Sequence, residues 1–243
     1  MDNKTDSRME FNRGFRKGLP IALGYIPVAF TFGLLAVQGG LSPLLAVFIS
    51  MSNLTSAGQF AGVNLIIAQA NLLEIALTTF VINIRYFLMS LSLSQKIKSH
   101  MPAALRSVMA FGITDETFTV ASLEEGEISF SFMLGLVCAP YFGWALGTAL
   151  GAFINSFLPS ALQNSMGIAL YAMFIAIVIP AARTSKAALV VAGTGIGINS
   201  LLTWLPSINN ISSGWRITIS TVLAASLGAL LFPKDSEEQC RNI

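Results

Sequence analysis

The polar and hydrophobic positions of this chain alternate on a long scale, with apolar stretches parted by short polar ones. No charged residue occurs from Gly18 to Leu73. A membrane-crossing helix needs about 20 predominantly apolar residues, so this stretch alone is long enough for more than two crossings. The whole pattern predicts eight hydrophobic segments, at 18–38, 41–69, 72–94, 103–123, 128–154, 162–182, 187–205 and 215–232. The first could pass for a signal peptide. Its apolar run is longer than an h-region, and no A-x-A-like site closes it, so it reads as an uncleaved first span.

Two of the eight segments are irregular. The centre of the second reads Ser50-Met51-Ser52-Asn53-Leu54-Thr55-Ser56-Ala57-Gly58-Gln59. Small polar side chains compete for backbone hydrogen bonds and favour caps and turns. Two half-helices joined by an irregular centre are therefore expected. The fourth is short and weakly apolar, holds Thr114-Asp115-Glu116-Thr117 in its middle, and is closed by Glu124, Glu125 and Glu127. The fold class is all-α: a polytopic integral membrane helical bundle of about six full spans plus two broken or re-entrant segments. Residues 1–17 form a cytoplasmic N-terminal segment, 18–232 a single transmembrane domain, and 233–243 a cytoplasmic tail.

Basic residues orient the bundle. Five Lys and Arg precede the first span, Arg183 and Lys186 flank a later loop, and Lys234 follows the last span. Both termini then face the cytoplasm, which requires an even number of crossings. If all eight segments cross, Lys96, Lys98 and Arg106 lie outside, against the rule. If 41–69 and 103–123 are re-entrant, one from each side, that basic loop lies inside. Irregular backbone at membrane depth is tolerated only within protein or beside a water-filled cavity, so both broken segments should point into the bundle.

Composition agrees. Of the 243 residues, 54% are hydrophobic and 11% charged, with mean hydropathy +0.70. A soluble domain carries about 25% charged residues. A net charge of +2 without a basic, aromatic-interleaved patch gives nothing for nucleic acid to bind. Cys138, Cys240 and the loop residue His100 supply neither a disulfide framework nor a metal site. No cofactor is implied, and no nucleophile–base pair is evident, so an enzyme is not expected. Gly193-Thr194-Gly195-Ile196-Gly197 lies within an apolar span with no strand before it, out of context for a phosphate loop. Gly143, Gly147 and Gly151 recur every four residues on one helix face, as close helix packing in lipid requires.

The interior charges carry the chemistry. Arg85 lies near mid-span, where a charge is costly unless paired or hydrated. It is either a ligand or gate for a substrate carboxylate, or a structural ion-pair partner of Asp115, Glu116 or another subunit. Thr114 suits the N-cap of a half-helix with Asp115 and Glu116 in its first turn, a favourable place for acids. Those two are also candidates for proton coupling. Glu74 is near enough to its span end to snorkel. The break at 52–59 exposes N–H groups at the start of a half-helix, where anionic substrate groups bind in discontinuous helices. Nearby carbonyls suit an ammonium, so a zwitterion fits. Candidate substrate ligands are Ser52, Asn53, Thr55, Ser56, Gly58 and Gln59, with Asn83 and Arg85.

Three runs in order, Thr55-Ser56-Ala57-Gly58-Gln59-Phe60-Ala61-Gly62, Asn83-Ile84-Arg85-Tyr86 and Thr114-Asp115-Glu116-Thr117-Phe118, resemble the AzlC family, the large subunit of branched-chain amino-acid exporters. The resemblance runs from about Arg13 to Phe232. Tyr86 stands where the family pattern has histidine, so a histidine relay lacks its residue here. The resemblance implies export of leucine, isoleucine, valine and methionine-like substrates across a bacterial cytoplasmic membrane. It also implies a small AzlD-type membrane subunit as partner. Competing expectations are a transporter of another small solute on the same fold, and a non-transporting membrane scaffold.

Overall fold

The computed structural model describes residues 2–97, 101–154, 175, 178–180, 182–204 and 211–233. Its helices are α1 (Asp2–Gln38), α2 (Pro43–Ser52), α3 (Ala57–Ile67), α4 (Leu72–Ser94), α5 (Ala103–Phe111), α6 (Asp115–Ser122), α7 (Phe130–Ile154), α8 (Lys186–Trp204) and α9 (Ser213–Leu231). Among the described residues, five helices are long and apolar enough to cross a bilayer: α1, α4, α7, α8 and α9. The expected span over 162–182 lies mostly outside the described residues.

Glycine decides the first contact. A Cβ at Gly135, Gly143, Gly147 or Gly151 of α7 would lie 2.1, 3.0, 2.5 or 2.0 Å from the carbonyl oxygen of Phe11, Ala22, Ile26 or Phe30 of α1. The partners rise in step along both chains, so α1 and α7 run parallel with their backbones touching. The expected glycine face of α7 is this interface, and Gly14, Gly18 and Gly33 answer it from α1. Residues 2–17 are helical and continue α1 down the start of α7, where Lys17 and Arg13 both reach Glu124.

Both broken segments are hairpins. Helices of 8 to 11 residues extend about 12–17 Å at 1.5 Å per residue, half of a bilayer core of about 30 Å. Ser42 caps α2, accepting from Leu45 N, with Pro43 at the first helical position. The chain descends to Asn53, turns, and climbs as α3. A Cβ at Gly39, just past α1, would meet Ile67 at the end of α3 at 2.0 Å, so the hairpin leaves where it entered. The second hairpin enters from the other end. Lys96, just past α4, donates its ammonium to the carbonyls of Ser122 and Glu124 at 2.6 and 2.8 Å. Ile128 N also bonds Lys96 O at 2.8 Å. α5–α6 therefore returns to the level where α4 ended and α7 begins. Of the two arrangements open in the sequence, this is the one with re-entrant segments entering from opposite ends.

α4 runs against α1 and α7, with Asn71 capping it by accepting from Leu73 N at 2.7 Å. α9 lies parallel to α4, joined by Thr78 and Thr218 hydroxyls 3.2 Å apart. Glu74 does not snorkel. It is 7% exposed and accepts from Gly214 N at 2.8 Å and Ser212 Oγ at 2.5 Å, closing the start of α9. One core cluster, around Phe32, Phe60 and Trp144, joins α1, α7 and the first hairpin. The other, around Met109, Ile113, Phe132 and Leu136, joins α7 to the second.

Candidate functional site

The two hairpin tips meet at mid-depth. In the first, Leu54 is buried and anchors the turn. Thr55 donates its hydroxyl to Asn53 Oδ1 at 2.6 Å. Ser56 holds φ at +49°, a left-handed conformation unusual for a residue with a side chain. It gives α3 no side-chain cap, and α3 has no acid in its first turn. The positive end of that helix is thus open. The second tip is the reverse. Thr114 and Thr117 form a reciprocal capping box at the start of α6, with Asp115 and Glu116 in the first turn. Thr117 also donates to Gly112 O at 2.8 Å, closing the turn.

Two chains of contacts join the tips. Arg85 Nη1 stands 2.8 Å from Asp115 Oδ2, and Arg85 Nη2 donates to the Tyr86 hydroxyl at 3.2 Å. Tyr86 in turn donates to the Thr55 carbonyl at 3.0 Å. In the other chain, the Tyr25 hydroxyl lies 2.7 Å from Thr114 Oγ1 and 2.5 Å from Glu116 Oε2. The Tyr25 ring meets Trp144 edge-on, with centroids 5.2 Å apart. Trp144 Nε1 donates to Gln59 Oε1 at 3.1 Å. Gln59 Nε2 donates to Ser50 Oγ, which pairs with Thr148 Oγ1, both at 2.6 Å.

Between these chains lies a cavity of about 930 Å³, within the range of small-molecule sites. Its walls are largely apolar, from Pro20, Ile21, Val28, Leu54, Val81, Ile82, Trp144 and Val178. Its polar groups are Tyr25, Ser56, Arg85, Tyr86, Asp115 and Glu116, with Thr114 and Thr221. Arg85 and Asp115 keep 41% and 47% of their side-chain surface open, so the pair faces the cavity rather than the core.

Of the expected site residues, Ser56, Arg85, Asp115 and Glu116 line the cavity, and the expected pairing of Arg85 with Asp115 is present. The rest of the expected ligand set sits elsewhere. Ser52 bonds back to Phe48 O at 2.8 Å. Asn53 and Thr55 serve the turn. Gly58 lets Asn83 approach, since a Cβ there would fall 2.2 Å from Asn83 Oδ1. Gln59 is 1% exposed, and both its amide nitrogen and its amide oxygen are bonded within the buried network. Sequence reasoning missed Tyr25, Tyr86 and Trp144. A signal existed for the two tyrosines, because a phenol within an apolar span needs a hydrogen-bond partner. Among the described residues, no group of three or more His, Cys, Asp or Glu could hold a metal ion, and His100 lies outside them.

A parallel helix pair, two opposed re-entrant hairpins and a polar cavity where they meet define a polytopic membrane protein with a solute-sized interior site. The family model described as "AzlC protein" matches residues 20–158, more than half of the chain. This chain belongs to the AzlC family, and that membership supports a membrane-transporter role. It is 32% identical over 203 residues to the inner membrane protein YgaZ of Escherichia coli (strain K12), covering 79% of this chain and 83% of that protein. It is 33% identical over 215 residues to an uncharacterized membrane protein of Archaeoglobus fulgidus, covering 83% of this chain and 94% of that one. A Helicobacter pylori (strain 26695) membrane protein is 32% identical over 151 residues, 57% of this chain and 63% of its own length. No solved structure matches the chain.

Proposed function

We propose that this protein is a secondary transporter that exports branched-chain amino acids (leucine, isoleucine, valine and methionine-like substrates) across the cytoplasmic membrane. It works with a small AzlD-type membrane subunit and is driven by the proton gradient. The observation that carries the reading is the cavity's division of polarity. One charged pair, Arg85 with Asp115, stands near the open positive end of α3 among aliphatic and aromatic walls. A zwitterion can insert into that pair, its carboxylate on Arg85 and its ammonium on Asp115. The exchange replaces one matched pair of charges by two, leaving no new unmatched charge at membrane depth. The aliphatic side chain then lies against Val28, Leu54, Val81 and Ile82.

The test is efflux of preloaded, labelled leucine and isoleucine from vesicles holding this chain, alone and with its small subunit. Efflux that needs the subunit and collapses with an uncoupler supports the reading. Absence of efflux of either amino acid under both conditions removes the substrate assignment.

A further inference from the structure

The cavity holds more negative charge than positive. Its charged side chains are Arg85, Asp115 and Glu116. Arg85 and Asp115 match each other at 2.8 Å. Glu116 has no cation within ion-pair distance among the described residues. The groups that face it are the Tyr25 hydroxyl from α1 and, more distantly, Arg85 and Tyr86 from α4 and its neighbour Asp115. An unmatched charge at membrane depth is costly, and a bound proton is the smallest species that removes it.

The hydrogen bonds around Glu116 suit a proton that comes and goes. The Tyr25 phenol has a single proton and two oxygens within reach, Glu116 Oε2 at 2.5 Å and Thr114 Oγ1 at 2.7 Å. Thr114 Oγ1 already accepts from Thr117 N at 3.2 Å, and its own hydroxyl proton is free to turn. With Glu116 ionised, Tyr25 donates to the carboxylate and Thr114 donates to the phenol oxygen. With Glu116 protonated, its O–H donates to the phenol oxygen and Tyr25 donates to Thr114. The Tyr25 hydroxyl keeps one donated and one accepted hydrogen bond in both states, because a hydroxyl donates once and accepts twice. Asp115 has no such switch; its oxygen is held by a guanidinium that cannot lose its proton.

We propose that Glu116 is the site at which the coupled proton binds, with the Tyr25 hydroxyl reversing its hydrogen bond as the proton arrives and Asp115 left to the pair with Arg85 that a zwitterion can enter. The proposal deepens the transport reading above and rests on it for the word coupled; the identity of the titrating group stands separately.

Two measurements decide it. The first uses the full chain in lipid nanodiscs and needs no substrate. Infrared difference spectra across a pH titration are recorded for the wild type, Glu116→Gln, Asp115→Asn and Tyr25→Phe. A protonated-carboxyl component that is present in the wild type and Asp115→Asn, lost in Glu116→Gln and shifted in Tyr25→Phe is expected. Glu116→Gln spectra that lose no such component, or Tyr25→Phe spectra in which it is unmoved, overturn the proposal. The second compares leucine counterflow with efflux driven by a pH gradient in proteoliposomes that hold this chain together with its small subunit. Glu116→Gln should lose gradient-driven flux by about a hundredfold, the scale of a lost proton-transfer group, and lose more of it than of counterflow. Retention of wild-type gradient dependence overturns it as well. A wild type without leucine counterflow refutes the substrate reading alone, and the infrared result still decides for or against Glu116.

Discussion

Asp115 and Glu116 are neighbours in sequence and stand in different surroundings, one against a guanidinium and the other against a phenol. Because the Arg85–Asp115 pair is half open to the cavity, the pair as a whole contributes about 1 kcal/mol or less to stability, as exposed pairs do, although either charge left alone at membrane depth is costly. The double variant Arg85→Ala with Asp115→Asn, which removes both charges, should therefore lower the melting temperature little while abolishing leucine efflux; melting curves and efflux on the same preparations check this. Gln59→Leu should do the opposite. It strips Trp144 Nε1 of its acceptor and Ser50 of its donor deep in the core, at a cost of about 1–3 kcal/mol per orphaned group. Efflux normalised to folded protein should survive. If Gln59→Leu folds as well as the wild type and loses efflux, Gln59 belongs with the substrate ligands after all. Arg85, Asp115 and Glu116 were legible in the sequence because charge is rare in an apolar span and has to be accommodated. Gln59 is ambiguous in the sequence because an amide inside the membrane needs a partner but does not say whether that partner is substrate or protein. Trp144 looks like a lipid-facing or packing residue until the helices are placed.

At the scale of elements, the bundle depends on how closely α1 and α7 approach. The backbone oxygen of Phe30 lies 2.0 Å, and that of Thr148 2.2 Å, from where Cβ atoms of alanine would stand at Gly151 and Gly33. Neither oxygen can swing aside as a side chain can. Gly151→Ala and Gly33→Ala should each destabilise by about 1–3 kcal/mol, the usual cost of overpacking, measurable as a lower melting temperature in detergent. Gly193→Ala on α8 meets nothing within 4 Å among the described residues and replaces a poor helix former, so it should be neutral or stabilising by up to about 1 kcal/mol. Equal losses at all three positions would show that the glycines matter for something other than contact. The element boundaries were largely readable. The third segment was expected at 72–94 and is Leu72–Ser94, and the small polar run and Thr114 marked both breaks. Rotation of each helix about its axis was not readable. Lipid and protein interior are equally apolar, so the periodicity that orients a helix in water is weak here. α7, half buried over its apolar window, shows its inward face through glycine spacing alone.

For the whole molecule, the direction of each hairpin decides whether the cavity can be reached from both sides in turn. α2–α3 enters from the end where α1 and α7 finish, and α5–α6 from the end where they begin. Each therefore covers the cavity from one side. The tips are tied by Tyr86 to Thr55, by Arg85 to Asp115, and by Tyr25 to both Thr114 and Trp144. If the hairpins are re-entrant, exposed residues at their bases must react from opposite faces of the membrane. Ala68, just past α3, and Glu125, just past α6, are both exposed. In a background with Cys138 and Cys240 replaced, Ala68→Cys should be labelled by a membrane-impermeant maleimide from the face opposite the N-terminus. Glu125→Cys should be labelled from the face that carries the N-terminus. Labelling of both from one face would mean that α2–α3 crosses the bilayer completely. Both broken segments would then be spans, Lys96 would move to the far side with its loop, and a cavity closed by one hairpin at a time would lose its basis. The outcome thus reaches beyond topology. Access that alternates by moving one hairpin against the fixed α1–α7 pair requires each hairpin to have its base on its own side. The Tyr25 hydroxyl would then sense both movements, through Thr114 and Glu116 on one tip and through Trp144 and Gln59 on the other.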